Sequence, residues 1–251
     1  MYRIDLNSDL GESFGRYTLG NDERLIPLIT SCNIACGFHG GDPIVMEKTV
    51  KIAIENDVQI GAHVSYPDLQ GFGRRKIDMT EEEIKALVKY QIGALWGFVH
   101  SLGGKLNHVK PHGALYNVAA KDMNTARAIC KAIKEIDDNI TLLGLSGSLM
   151  KDAAEEAGIH FKSEVFADRA YNNDGSLVDR KIKGSVIHDM NLISDRVVRM
   201  IKENKVISID SKDIDVYPDS ICIHGDTEGA EEFALSIREA LEKEGIEIKP
   251  F

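Results

Sequence analysis

Five of the eight histidines in this 251-residue chain lie in short blocks rich in Gly, Asp and Glu, each at the end of an apolar run. The blocks are NIACGFHGGDP with His39, IGAHVSYPD with His63, LNHVKPHGALYN with His108 and His112, and ICIHGD with His224. In α/β proteins the carboxyl ends of parallel strands converge on one face, where catalysis and ligand binding take place. The recurrence predicts a single polar site.

Charged residues accompany these histidines. The opening block DLNSDLGESFG supplies Asp9 and Glu12, which suit acid–base chemistry or a metal. After His63, in the stretch GAHVSYPDLQGFGRR, the fork of donors on Arg74 fits a carboxylate. Lys110 falls on the same strand face as His108 and can stabilise a developing oxyanion. These residue types together favour a hydrolytic site over simple binding.

The elements that must position these blocks alternate along the chain. Asp42 followed by Pro43 predicts a helix start, and Thr80 with Glu83 forms a capping box that opens the longest helix, ending at Gly103. Strands are predicted at 2–7, 31–35, 58–63, 105–110, 140–145, 160–166, 186–188 or 206–209, and 220–223, and further helices at 122–136, 148–157, 189–204 and 227–244. Seven or eight β–α units predict a TIM-like β/α barrel over 1–251 as one domain, with a doubly wound open sheet as the alternative.

Composition narrows the function classes. The formal net charge is −10 and no long basic run occurs, so nucleic-acid binding is not expected. No stretch approaches about 18 consecutive apolar residues and the N-terminus starts directly on a strand, which predicts a cytoplasmic protein without a membrane segment. The four cysteines include no CxxC pair and are expected to be buried thiols, and Cys36 is not predicted to be a nucleophile.

Taken together, the blocks resemble the LamB/YcsF family over about residues 3–245. The likeness rests on NIACGFHGGDP, GAHVSYPDLQGFGRR, HVKPHGALYN and EVFADRAY, with DLNSDLGES at the start and IHGD near the end. Two departures, Gly40 in the place of an Ala and Val64 in the place of a Pro, touch no polar group. The resemblance implies a seven-stranded barrel similar to glycoside hydrolases and polysaccharide deacetylases. It also implies the A subunit of an ATP-dependent 5-oxoprolinase, which converts 5-oxoproline to glutamate with subunits B and C.

The sequence limits how ATP can take part. It contains no GxxxxGK[ST] motif, and the nearest approach, Gly103-Gly104-Lys105, opens a strand instead of following one. Nucleotide chemistry is therefore expected to need the partner subunits, and the chain alone is expected to be nearly inactive.

The hypothesis for the site follows from motif positions. The substrate carboxylate pairs with Arg74 or Arg169, the lactam oxygen meets Lys110, and a carboxylate or histidine activates water. The predicted catalytic residues are Asp9, Glu12, His39, His63, Lys110, His112 and Asp168. The predicted substrate-binding residues are Asn33, Arg74, Arg169, Tyr116, His224 and Asp226. A divalent cation is an option, with Asp9, His39 and His63 as its candidate ligands.

Two other functions stay open on the same residues. A metal-dependent deacetylase of carbohydrate or amide substrates predicts tightly bound metal and ATP-independent activity from the isolated chain. A non-catalytic subunit that carries substrate to a partner predicts substrate binding that survives loss of the carboxylates.

Overall fold

The computed structural model of the protein describes residues 2–223 and 229–251. Its strands are β1 Arg3–Leu10, β2 Ser31–Ala35, β3 Gln59–Val64, β4 Leu106–Pro111, β5 Thr141–Leu145, β6 Phe161–Phe166, β7 Lys205–Ile207, β8 Asp213–Asp215, β9 Ser220–Cys222 and β10 Glu247–Ile248. Its α-helices are α1 Asp22–Leu25, α2 Pro43–Glu55, α3 Glu81–Ser101, α4 Gly113–Ala119, α5 Met123–Ile136, α6 Leu149–Ala157, α7 Met190–Glu203 and α8 Ala230–Lys243. A 3₁₀ turn, Ile26–Leu28, follows α1.

Within the described ranges, seven parallel strands form a closed β/α barrel, which confirms the predicted fold. The strands pair in the order β1 to β6, and β9 then pairs with both β6 and β1. Ser220 of β9 is accordingly in register with Glu164 on one side and with Asp5 on the other. Because β9 bonds to both neighbours, the sheet has no open edge there and the doubly wound alternative is wrong.

One predicted barrel strand lies elsewhere. The apolar run at 206–209 contributes to β7, which pairs antiparallel with β8 in a separate two-stranded sheet, and the run at 186–188 forms only an isolated bridge from Val186 to Arg169. Val206 is buried, whereas Ile207 next to it is more than half exposed. Barrel strands are covered on both faces, so this half-exposed pattern suits a surface hairpin.

The interior of the barrel is polar. Along β1 the side chains of Ile4 and Leu6 belong to the hydrophobic core, while the alternate residues Asp5, Asn7 and Asp9 make side-chain hydrogen bonds to the neighbouring strands β2 and β9. In most such barrels branched apolar side chains fill this space. Buried polar groups must be satisfied there, because an unpaired one costs stability.

Asp5 is an example of a buried polar group in the lower part of the barrel whose oxygens all have hydrogen-bond donors. Its Oδ1 accepts hydrogen bonds from Thr30 Oγ1 and Ser31 Oγ, both at 2.6 Å, and its Oδ2 accepts from Ser220 Oγ. Burial raises the pKa of Asp5 to about 6 against the opposing effect of these donors. The carboxyl group ties β1, β2 and β9 together below the site.

Helix starts agree with the predicted signals. Asp42 caps α2 by accepting from the backbone N–H groups of Ile44 at 2.9 Å and Val45 at 3.0 Å, and Thr80 with Glu83 makes both bonds of the capping box at α3. The second oxygen of Asp42 accepts from the backbone N–H of Gly15 at 2.8 Å. One side chain thus starts α2 and holds the loop after β1. In the described ranges, no helix is long and apolar enough to cross a membrane.

We predict that Asp42→Ala lowers the free energy of unfolding by about 1 kcal/mol, because both the cap and the tie to Gly15 are lost. Asp42→Asn should lower the free energy of unfolding by less, since its one amide oxygen still caps α2.

The pKa of Asp42 is lowered from 3.8 by the N–H groups of Val45 and then Gly15. A depressed folded-state pKa stabilises above the unfolded value, so the wild-type advantage over Asp42→Asn should be complete above about pH 4 and vanish as the pH falls through the folded-state pKa.

Urea unfolding of the three proteins across this pH range measures both effects. Equal stability of Asp42→Ala and wild type throughout would show that neither contact matters.

Candidate active site

A cavity of about 580 Å³ opens at the carboxyl ends of the barrel strands. Its floor contains ionisable side chains from three strands and the loops that follow them: Asp9, Glu12, His63, Lys110 and His112. Its walls come from Phe72 and Arg74 after β3, from Tyr116 of α4, and from Phe166 and residues 176–181 after β6. The predicted convergence of strand-end residues is therefore seen in the described structure.

Glu12 and three histidines form a buried cluster beside this floor. The nitrogens of His39, His63 and His112 and a carboxylate oxygen of Glu12 all lie within 4.8 Å of one another. His39 Nε2 is 3.0 Å from Glu12 Oε1, and the rings of His39 and His112 stack at 3.7 Å between centroids. This arrangement could hold a metal ion. His39 itself lies behind the floor and does not line the cavity.

Backbone carbonyls fix the orientation of two of the rings. His63 Nδ1 donates to the carbonyl of Lys110 at 3.0 Å, and His112 Nε2 donates to the carbonyl of Phe72 at 2.8 Å. The other nitrogens, His63 Nε2 and His112 Nδ1, then face each other at 2.9 Å. Asp9 Oδ2 lies 3.2 Å from His63 Nε2.

The loop after β3 brings the Phe72 carbonyl to His112 by an unusual backbone path. Phe72 has a positive φ of 53°, a region that non-glycine residues rarely adopt. A Cβ on the next residue, Gly73, would overlap Ser65 Oγ and lie 2.8 Å from both His39 Cβ and His112 Cδ2. The Gly-Phe-Gly sequence is thus needed for close packing against the histidines.

Lys110 is buried in the barrel between acidic residues of β1 and β6. Its Nζ lies 2.9 Å from Asp9 Oδ1, 2.6 Å from Glu164 Oε1 and 3.2 Å from Asn7 Oδ1. Burial by itself lowers the pKa of Lys110, but the charges of Asp9 and Glu164 outweigh it and raise the pKa well above the ordinary value. A fourth acceptor, Cys222 Sγ, lies 3.3 Å from Nζ, so the three hydrogens of this ammonium already have more acceptors than they can serve.

Glu164 was not among the predicted site residues, yet it is a buried partner of Lys110. Besides Lys110, it accepts a hydrogen bond from Tyr116 Oη at 2.8 Å on its Oε2, and burial together with the Glu164 charge raises the pKa of Tyr116. Tyr116 lines the cavity, and its hydroxyl group also orients Glu164, the partner of Lys110. The signal was present in EVFADR, because alternation along β6 turns Glu164 inward with Phe166.

Asn33 and His108 hold Asp9 from below. Asn33 Nδ2 donates to Asp9 Oδ1 at 2.9 Å, and its Oδ1 accepts from His108 Nε2 at 2.8 Å. Burial lowers the pKa of His108 to about 3, so its ring is neutral. A Cβ at Gly61 would overlap the His108 ring. Asn33, predicted to bind substrate, lies under Asp9 and does not line the cavity.

The arginines and Asp168 lie in different surroundings. Arg74 lines the cavity and its guanidinium carbon lies 4.9 Å from the Phe72 ring centroid. Arg169 also lines it, but Nε donates to the carbonyl of Ser185 at 3.2 Å and Nη2 to that of Val178 at 2.5 Å, and burial lowers its pKa to about 10. Asp168 is buried and does not line the cavity. Both arginines therefore reach the cavity, and Arg169 is in addition tied to the loop after β6.

Two predicted substrate-binding residues, His224 and Asp226, fall outside the described residues. His100, His160 and His188 are exposed. All four cysteines are buried and unpaired with one another, and burial raises the pKa of Cys36 to about 12, which agrees with its not being assigned as a nucleophile.

Comparison with known proteins agrees with the motif evidence. The model of the LamB/YcsF family matches residues 4–251. A protein of Alkaliphilus metalliredigens, named as the A subunit of 5-oxoprolinase, is 58% identical over 248 residues, covering 99% of this chain and 97% of that protein. One of the same name from Pyrococcus horikoshii is 52% identical with the same coverage.

A solved structure gives the same result at the level of the fold. The crystal structure of a protein named lactam utilization protein, from Thermus thermophilus, matches with a TM-score of 0.93 and 44% identity, covering 99% of this chain and 100% of that one. With a family match over nearly the whole chain and relatives above half identity, this chain belongs to the LamB/YcsF family.

Proposed function

We propose that the chain opens the lactam ring of 5-oxoproline to give glutamate, as the A subunit of an ATP-dependent 5-oxoprolinase. The observation that carries this proposal is the cavity floor, where the Asp9–His63 pair and the Lys110 ammonium lie together below a guanidinium on the wall. That set can activate water, stabilise negative charge and hold a substrate carboxylate. The names of the relatives from Alkaliphilus and Pyrococcus support the same reaction.

Water activation falls to Asp9. It is the floor carboxylate that is partly open to the cavity, and its Oδ2 lies 3.2 Å from His63 Nε2. In the proposed step a water oxygen attacks the lactam carbonyl carbon while its proton passes to the Asp9 carboxylate. The carbon–nitrogen bond then breaks, Asp9 returns the proton to the leaving nitrogen, and glutamate is formed.

Lys110 acts mainly through its charge. Its Nζ already lies near four acceptors, from Asp9, Glu164, Asn7 and Cys222, so a direct bond to a substrate oxygen would have to compete with them. In a buried site, where the effective dielectric is low, an ammonium stabilises a nearby oxyanion without touching it. Lys110 also fixes the Oδ1 of Asp9 and so directs Oδ2 to His63.

The buried cluster of Glu12, His39, His63 and His112 lies beside these groups. A divalent cation there would act as a Lewis acid on the lactam carbonyl when bound.

ATP enters through partner chains in this proposal. An unstrained amide is stabilised by resonance, and coupling to ATP hydrolysis supplies the driving force for opening it. The sequence has no GxxxxGK[ST] motif, so we assign nucleotide binding to the B and C subunits. The need for ATP also suits a complex that works in the cytoplasm.

Replacing the carboxylate on the floor tests the mechanism. We predict that Asp9→Asn lowers ATP-dependent glutamate release by the reconstituted three-subunit complex by about 100-fold or more, because the amide cannot accept the proton of water. The control is Asp78→Asn, which changes an exposed carboxylate that pairs with Lys76 at the surface. Thermal unfolding and gel filtration verify that both variants fold and assemble.

If Asp9→Asn released glutamate at the wild-type rate, Asp9 would not be the base that activates water. Omitting the B and C chains from the same assay should leave almost no glutamate, whereas full activity from the isolated chain without ATP would favour the deacetylase class.

Substitution of Arg74 tests carboxylate recognition. We predict that Arg74→Ala raises KM for 5-oxoproline by about 10- to 100-fold with a smaller effect on kcat, because one charged hydrogen-bond partner of the substrate is lost. Lys121→Ala is the matched control, since Lys121 also lines the cavity but pairs with Asp174 at 3.3 Å.

A second control uses the substrate. The unsubstituted lactam 2-pyrrolidinone lacks the carboxylate, so its slower reaction should respond little to Arg74→Ala. An equal loss for both lactams would mean that Arg74 acts on the reacting amide or on the fold.

A further inference from the structure

Two histidines of the buried cluster have their hydrogen positions fixed by the backbone. A carbonyl oxygen only accepts, so the hydrogen of neutral His63 lies on Nδ1, toward Lys110, and that of neutral His112 lies on Nε2, toward Phe72. Both remaining nitrogens then carry lone pairs. These two lone-pair nitrogens face each other at 2.9 Å, which is repulsive unless a cation lies between or beside them.

The oxygen atoms around this pair are acceptors as well. Glu12 Oε1 lies 3.7 Å from His112 Nδ1, and Asp9 Oδ2 lies 3.2 Å from His63 Nε2. Carboxylate oxygens accept hydrogen bonds and bind cations, so these two oxygens add further potential ligand atoms beside the nitrogens.

We propose that Glu12, His63 and His112, with His39 beside them, bind one transition-metal dication of the Zn²⁺ type with an open position toward the cavity. This inference concerns the same cavity as the proposed 5-oxoprolinase function but does not need that reaction to be correct. The sequence suggested Asp9, His39 and His63 as ligands. The geometry points to Glu12 and His112 in addition, with Asp9 adjacent.

The distances fit this class of metal. Two ligands of a tetrahedral zinc centre, with bonds of about 2.0–2.1 Å, lie about 3.3 Å apart. Three separations between potential ligand atoms bracket this value: 2.9 Å for His63 and His112, 3.0 Å for His39 and Glu12, and 3.7 Å for His112 and Glu12. The four atoms together lie within 4.8 Å of one another, so the full set must draw closer when it binds an ion. A set rich in imidazole suits Zn²⁺, Co²⁺ or Ni²⁺ better than Mg²⁺ or Ca²⁺, which prefer oxygen.

The surroundings also match those of a metal site. Metal-binding histidines generally donate their other N–H to a carbonyl or carboxylate, and His63 and His112 both do so. Glu12, His63 and His112 line the cavity, so a bound ion could take a water or substrate atom from that side. The hydrogen position of His39 is not fixed in the same way. Its Nδ1 has no hydrogen-bond partner among the described residues, whether its Nε2 donates to Glu12 or binds a metal.

Metal binding by the isolated full-length chain tests the proposal without any activity assay. Chain stripped with chelator and then dialysed with Zn²⁺ should retain about one equivalent, and Co²⁺ should give the visible absorption of a four- or five-coordinate site. Glu12→Gln and His112→Gln should weaken Zn²⁺ binding by at least about 100-fold. The control His100→Gln changes an exposed histidine on α3 and should bind as wild type does.

Thermal unfolding without metal checks that each variant folds, and Zn²⁺ should raise the Tm of wild type and His100→Gln only. The proposal is overturned if Zn²⁺, Co²⁺ and Ni²⁺ neither bind stoichiometrically to wild type nor raise its Tm. It is equally overturned if Glu12→Gln and His112→Gln bind as tightly as wild type. A proton shared between His63 and His112 would then explain their contact, and the proposed function would stand on its own assay.

Discussion

The ammonium of Lys110, buried inside the barrel, is the constraint on which the site depends. A charge removed from water must be paired and hydrogen-bonded, and Asp9, Glu164 and Asn7 meet that need from β1 and β6. Because Asp9 is held by Lys110 through one oxygen, its other oxygen is directed to His63. The same ion pairs therefore link distant strands of the barrel and set the geometry of the cavity floor.

Much of this arrangement follows from local sequence signals. Helix starts at Asp42 and Thr80 depend on the few residues around them, so they can be predicted without knowing the fold. The polar blocks at strand ends were expected to meet on one face, since parallel strands leave no other place for them. Motifs of eight or more residues also identified the family, which the full-length match confirmed.

What the sequence did not reveal depends on contacts between distant segments. Glu164 lies far beyond Lys110 along the chain, and only closure of the barrel brings them together. The run at 206–209 has the composition of a strand, but its exposure on one side is decided by the hairpin it forms with β8. Likewise, the tautomers of His63 and His112 are set by carbonyls of other loops, which no spacing of histidines encodes.

Gly61 has a consequence for how this protein can vary. The ring of His108 occupies the space where a side chain at position 61 would project, and that ring supports Asn33 and, through it, Asp9. Positions 61 and 108 are therefore coupled: a larger residue at the first is compatible only with a smaller one at the second, and the support under Asp9 would then be lost. The absence of a side chain at position 61 in β3 thus constrains which residues can support the Asp9 carboxylate on β1.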